Sequence, residues 1–153
     1  MKITYFEDLK VGQEASMTKT VTEADIMAFC GVSGDFNRLH TDEEWVRERT
    51  PYRGRIAHGV LILALSTGIR TPVRDDLEVI AYLEETRRFV APVYPGDTLR
   101  VHHRIDHVRQ SSSRPGTGIV RIAVEVHNQR SEVVQSGTDV LLVASRLSIG
   151  GMA

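Results

Sequence analysis

Apolar positions change their period along this chain. In the first third they recur at helical spacing. Thr22 opens T-E-A-D, a capping-box start with Asp where Glu is usual, and Ile26, Phe29 and Cys30 follow on one face. The spacing predicts a short amphipathic helix over 23–31, ended by Gly31-Val32-Ser33-Gly34. Thr41 opens T-D-E-E, with acids in the first turn where the helix dipole favours them, so a second helix is expected from there to about Arg49. Pro51 and Gly54 then make a loop. From Ile56 to about Ile69, IAHGVLILALSTGI, apolar residues fall on every side, and the length with its Ala, Leu and Gly content predicts a helix buried all round.

After Leu77 the period becomes that of strands. Leu77–Val90 and Asp97–Gln110 are separated by the turn sequence APVYPG. In the second segment Leu99, Val101, His103 and Ile105 share one face, and Arg100, His102, Arg104 and Asp106 the other. Thr117–Gln129 alternates likewise, with Val120, Ile122, Val124 and Val126 together. Val133–Leu147 reads as the last strand, and Ser16–Val21 as a strand joining the same sheet. The breaker cluster SSSRPGTG at 111–118 is the expected loop between two long strands. Strands gathered after a helical block imply an α+β fold with a largely antiparallel sheet. A sheet curled round the apolar helix buries both.

Composition narrows the class. The 153 residues fit one domain, and neither a repeat nor a linker divides them. A formal net charge of −1 lends no support to a nucleic-acid or membrane-surface role. The single cysteine, Cys30, excludes an intrachain disulfide and zinc sites built on cysteine pairs. Met1–Lys10 has no signal-like apolar run, and the longest such run, Val60–Leu65, is too short to span a bilayer. A cytoplasmic protein is expected.

Two segments carry chemistry. Ser33-Gly34-Asp35-Phe36-Asn37-Arg38-Leu39-His40 lies in a loop between two predicted helices. Its carboxylate and imidazole are close enough in sequence to meet one small substrate, and such a pair moves protons to or from water near neutral pH. Alone, Asp and His in a loop are more often capping or surface groups. The second segment, Arg55-Ile56-Ala57-His58-Gly59-Val60-Leu61, changes that balance. Gly59 falls at the start of the apolar helix, where backbone N–H groups are unpaired and the dipole is positive. Glycine lets a ligand approach there, so the turn can hold a thioester oxygen as it becomes an enolate. His58 reads as a structural hydrogen-bonder at the helix start, and His102, His103, His107 and His127 as structural or surface residues, with His103 and His107 on one face.

SGDFNRLHTD followed by RIAHGVL resembles the MaoC-like hydratases of hot-dog fold, in which the loop reads approximately G-D-x-N-P-L-H. YFEDLKVG at 5–12 and RFVAPVYPGDTL at 88–99 extend the resemblance over most of the chain. It implies (R)-specific hydration of a trans-2-enoyl-CoA, or the reverse dehydration, without metal or cofactor, CoA being part of the substrate. It further implies a homodimer. By the same resemblance Asp35 and His40 activate the water, Gly59 N–H is the oxyanion donor, and Asn37 fixes the loop. Thr67, with Ser66 as its neighbour in reserve, falls where a hydroxyl stands near the pair. Arg38 replaces the family's proline, which removes stiffness, adds a charge near the site and bears on substrate choice. The competing readings are a hydratase of branched or acidic acyl-CoA (mesaconyl-type), a hot-dog thioesterase, and a non-catalytic acyl-binding partner subunit.

Overall fold

The structure, a computed structural model, describes residues 3–146. A 3-10 turn at Phe6–Asp8 leads into β1 (Glu14–Thr20), then α1 (Glu23–Ser33), α2 (Arg38–Thr41), α3 (Glu43–Arg49) and α4 (Gly59–Gly68). Four long strands follow: β2 (Val79–Phe89), β3 (Thr98–Gln110), β4 (Thr117–His127) and β5 (Val133–Ala144). They form one antiparallel sheet with β1 in the order β1-β3-β4-β5-β2. This is the expected α+β architecture. The expected reach of the last strand to Leu147 lies outside the described residues.

The alternation in β3 and β4 sets the core. Leu99, Val101 and Ile105 from β3, with Val120, Ile122, Val124 and Val126 from β4, are buried in one cluster with Leu141 and Val143 of β5. Leu61 and Ile62 of α4 and Ile26 of α1 pack into it. Burying a side chain of this size stabilises by about 1.5–3 kcal/mol, so the pleat and the helix spacing together decide which face turns inward.

Four expectations need correction. The second helix is not capped by Thr41. Thr41 ends the extra turn α2, whose N-cap is Asn37, and Asp42 caps α3 by accepting from the Trp45 N–H. His40 therefore stands on a helical turn instead of in a loop. The apolar helix begins at Gly59, not Ile56, because the Ala57 N–H is held by the Val93 carbonyl. It is buried along Leu61, Ile62 and Ser66, while Val60 and Ala64 face outward in the single chain. Finally, His103 and His107 do not share a face. A bulge between Ile105 and His107 turns His107 outward and leaves His103 buried.

β2 is an edge strand with apolar side chains exposed along it, among them Val79, Ile80, Leu83 and Phe89. Among the described residues no helix is long and apolar enough to cross a membrane.

Candidate active site

The capping box at Thr22 forms as the sequence predicts, with Asp25 returning to the Thr22 N–H. It fixes the start of α1, and Gly34 ends that helix in the left-handed region at φ 76°. Only glycine enters that region without strain, so the chain turns sharply there and delivers Asp35. Asp35 Oδ1 accepts from the Asn37 N–H at 3.1 Å, and Asn37 Oδ1 accepts from the Leu39 N–H at 3.0 Å. Asn37 thus caps α2 and ties the loop to it. Glu43 of α3 accepts from the Arg55 backbone N–H and Nε, and Arg55 also pairs with Glu23 of α1 at 2.7 Å. That network binds the helical segment to the chain entering α4.

α2 turns His40 inward. Its Nδ1 lies 2.7 Å from the Ile56 carbonyl oxygen. A carbonyl only accepts, so Nδ1 carries the hydrogen and, in the neutral ring, Nε2 carries the lone pair. That Nε2 is 4.0 Å from Asp35 Oδ2. The gap is too wide for a direct hydrogen bond and suits one water donating to both at about 2.8 Å. Burial pushes the His40 imidazole below the ordinary 6.5, the Ile56 carbonyl works the other way, and His58 adds to the lowering more than Asp35 opposes it. The neutral form, which a base needs, is therefore favoured more than in a free imidazole.

His58 is central to the site. Its ring is stacked on His40, with centroids 3.5 Å apart and planes at 27°. Its Nε2–H donates to the Asp35 backbone carbonyl at 3.0 Å and lies 4.0 Å from Asp35 Oδ2. The residue is 1% exposed, precedes Gly59, and packs on Phe29 and Cys30. Reading it as a structural hydrogen-bonder was right in kind, but the sequence did not show that its partner is Asp35.

Gly59 is the first residue of α4, so its N–H has no intrahelical acceptor. It lines the same cavity as Asp35 and His40, a space of about 410 Å³ whose apolar walls include Ile56, Val60, Val93 and Val134. A Cβ at Gly59 would lie 2.8 Å from the Phe89 ring, so the position needs glycine for room. Among the described residues no arginine or lysine lines this cavity.

The structure does not bring Thr67 to the cavity. Its hydroxyl turns back to the Ala64 carbonyl at 2.9 Å. Helical spacing puts the neighbouring Ser66 on the inward face with Ile62, where it reaches Gln135. Arg38 is exposed as the first residue of α2, outside the cavity lining. Gln135 and Phe89, which do line it, went unnoticed in the sequence. The signal available was a glutamine at an inward position of β5, on the same side as the buried Asp139, Leu141 and Val143.

Asp35, His40 and His58 bring three donor atoms within 4.8 Å of one another. The two rings are near parallel, so their in-plane lone pairs run in adjacent layers and do not converge on one ion. His58 Nε2 also carries the hydrogen given to Asp35. The set as arranged suits a water between Asp35 and His40 better than a metal.

The MaoC like domain model matches residues 7–128 of the chain. The protein belongs to the MaoC-like family. The (R)-specific enoyl-CoA hydratase of Rhodospirillum rubrum is 40% identical to this MaoC-like chain over 98 residues, which span 62% of the chain and 65% of the relative. The match thus spans just under two thirds of that hydratase's own length. An R-hydratase from Pseudomonas aeruginosa, in its unliganded form, superposes with a TM-score of 0.78 at 33% identity, covering 93% of this chain and 86% of that one. A Mycobacterium tuberculosis protein with a double hotdog fold superposes at 0.80 with 23% identity, covering 94% of this chain and 44% of that one. The fold of this MaoC-like domain is the hot-dog fold.

Proposed function

We propose that this MaoC-like domain is a hydro-lyase that adds water to a trans-2-enoyl-CoA to give the (R)-3-hydroxyacyl-CoA, or runs the reverse dehydration. One observation carries the reading: the 4.0 Å gap between Asp35 Oδ2 and a His40 Nε2 whose other nitrogen is tied to the Ile56 carbonyl. Water donates both hydrogens into that gap and presents a lone pair to the substrate's β-carbon. As oxygen adds, one water proton passes to the pair, and negative charge moves to the thioester oxygen, where the Gly59 N–H stabilises it. The pair then returns a proton to the α-carbon on the same face. The net change is one water added across the double bond, and the thioester is its own electron sink, so the step calls on no metal or cofactor.

The described cavity lining holds the Asp35 carboxylate and neither arginine nor lysine, which favours an uncharged acyl chain over the acidic, mesaconyl-type alternative. A thioesterase would use the same Gly59 N–H at the carbonyl oxygen, so thiol release is what separates it from a hydratase. A non-catalytic acyl-binding role leaves the Asp35–His40 geometry without a purpose. Arg38, exposed beside the catalytic loop, is the candidate for tuning substrate choice. The active form in this reading is a homodimer. β2 exposes an unpaired edge with apolar side chains, which is an association liability in a monomer, and a second copy pairing there would wall the cavity beside Phe89 and Val90.

The test is a panel of enoyl-CoA thioesters of varied length, branching and terminal charge, followed by loss of enoyl absorbance and by thiol release. Hydration of uncharged members without thiol release is expected. Thiol release without hydration would refute the proposal. Sedimentation as a stable, fully active monomer would refute the dimer.

A further inference from the structure

The row of residues crossing the inner face of the sheet at the cavity reads Val101, Val126, Gln135, Phe89, from β3 to the edge strand β2. Gln135 is the one polar member, and it is 1% exposed. A buried carboxamide costs stability unless it is hydrogen-bonded, so a strand that could carry valine there gains nothing in packing from glutamine. Its bonds reach α4. Nε2 donates to the Gly59 carbonyl at 3.2 Å, and Oε1 accepts from the Ser66 hydroxyl at 3.5 Å. Its cross-strand partner Phe89 presses its ring on the same glycine, at the place a Cβ would occupy. The first turn of α4 is held by a neighbouring pair on two strands, Gln135 through the Gly59 carbonyl and Phe89 through van der Waals contact.

We infer that Gln135 is a positioning residue for the oxyanion donor: it holds the Gly59 carbonyl, one Cα away from the N–H that meets the thioester oxygen, and so anchors the residue that carries the donor. The inference rests on the hydratase reading above. A donor aimed at an oxygen whose charge grows during reaction contributes to turnover only if its direction is set beforehand. An isolated first turn of a helix lacks that constraint, since frayed ends are its weakest part. The carboxamide supplies it from β5, which is paired on both sides within the sheet. The Gly59 carbonyl only accepts, so it is Nε2 that faces it, and Oε1 lies towards Ser66, whose one hydroxyl hydrogen goes chiefly to the Leu63 carbonyl at 2.8 Å.

The experiment compares wild type, Gln135→Met and Gln135→Glu, each checked for fold by circular dichroism and thermal unfolding, on whichever enoyl-CoA the wild-type protein hydrates. Gln135→Met keeps the size and removes the donor. Its kcat should fall roughly 10- to 100-fold, the scale of a misplaced catalytic group, with KM within about threefold. Gln135→Glu discriminates further. Its carboxylate cannot donate to the Gly59 carbonyl, but its protonated form can. Burial raises the pKa of a glutamic acid, to as high as about 8–9, so the ratio of the variant's kcat to that of wild type should rise as pH is lowered from about 9 to about 5. Groups common to both proteins cancel in the ratio. A folded Gln135→Met variant with wild-type kcat overturns the inference, and so does a Gln135→Glu deficit that ignores pH. A wild-type protein that hydrates no enoyl-CoA overturns the hydratase reading instead, which keeps the two failures distinct.

Discussion

The His58 ring lies face to face with His40 at 3.5 Å while its Nε2–H holds the Asp35 backbone carbonyl at 3.0 Å. One buried side chain thus touches both halves of the proposed pair and leads directly into Gly59. His58→Ala should fold, lose the Asp35 tether and cost about 1–3 kcal/mol in stability from the lost buried bond and packing. Turnover should fall by roughly tenfold or more, as for other displaced catalytic groups. Urea unfolding and steady-state kinetics check both. Wild-type turnover in a folded His58→Ala protein would show that Asp35 and His40 do not depend on it.

The pH profile follows from His40. Burial holds its imidazole below the ordinary 6.5, so the neutral, proton-accepting form persists to lower pH than in a free histidine. The charged and titratable groups facing it are Asp35 and His58. Activity should be level just above pH 6.5 and decline only below it, with the acid limb of kcat/KM centred under that value. An acid limb centred above 6.5 would contradict the assignment.

A second buried cluster governs stability. Asp139 of β5 is fully buried and pairs with Arg74 and with Arg87 of β2. Removing the carboxylate in Asp139→Ala takes from Arg74 and Arg87 their shared buried partner, leaving Arg87 the longer ion pair with Glu85 at 3.8 Å, and should destabilise by about 3–5 kcal/mol. Close by, burial and the Arg74 charge push the His103 imidazole down to about 4. The folded state thus binds this proton less readily than the unfolded chain. Its contribution is fully present above 6.5 and is lost as pH falls from there towards about 4. Urea midpoints should drop across that window in wild type and drop less in His103→Asn. Equal slopes in the two proteins would rule out His103 as the cause.

Much of this was legible in the sequence because period-two alternation is a local signal. The inward sets of β3 and β4 follow from alternation alone, and the Thr22 capping box follows from spacing. What stayed hidden depended on contacts between distant segments. Thr41 looks like a cap, but Asn37 and Asp42 take the two N-cap positions because the chain makes an additional turn to bring His40 under Ile56. The place of Gly59 at a helix start was readable, whereas Gln135, 76 residues away, has no local pattern linking it to that glycine. The bulge that parts His103 from His107 leaves no mark in the alternation on either side of it.

The account stands on Asp35 and His40 sharing one water, and paired substitution measures this most directly. Asp35→Asn and His40→Gln, each verified as folded, should lower hydration turnover by roughly 10²–10⁴-fold, the usual scale for positioned acid–base groups. KM should move less than turnover. The double variant should be little worse than the worse single one, because both groups act on one reaction coordinate. Near-normal hydration by both single variants would contradict the account, and losses that multiply in the double variant would show that the two residues do not share a water.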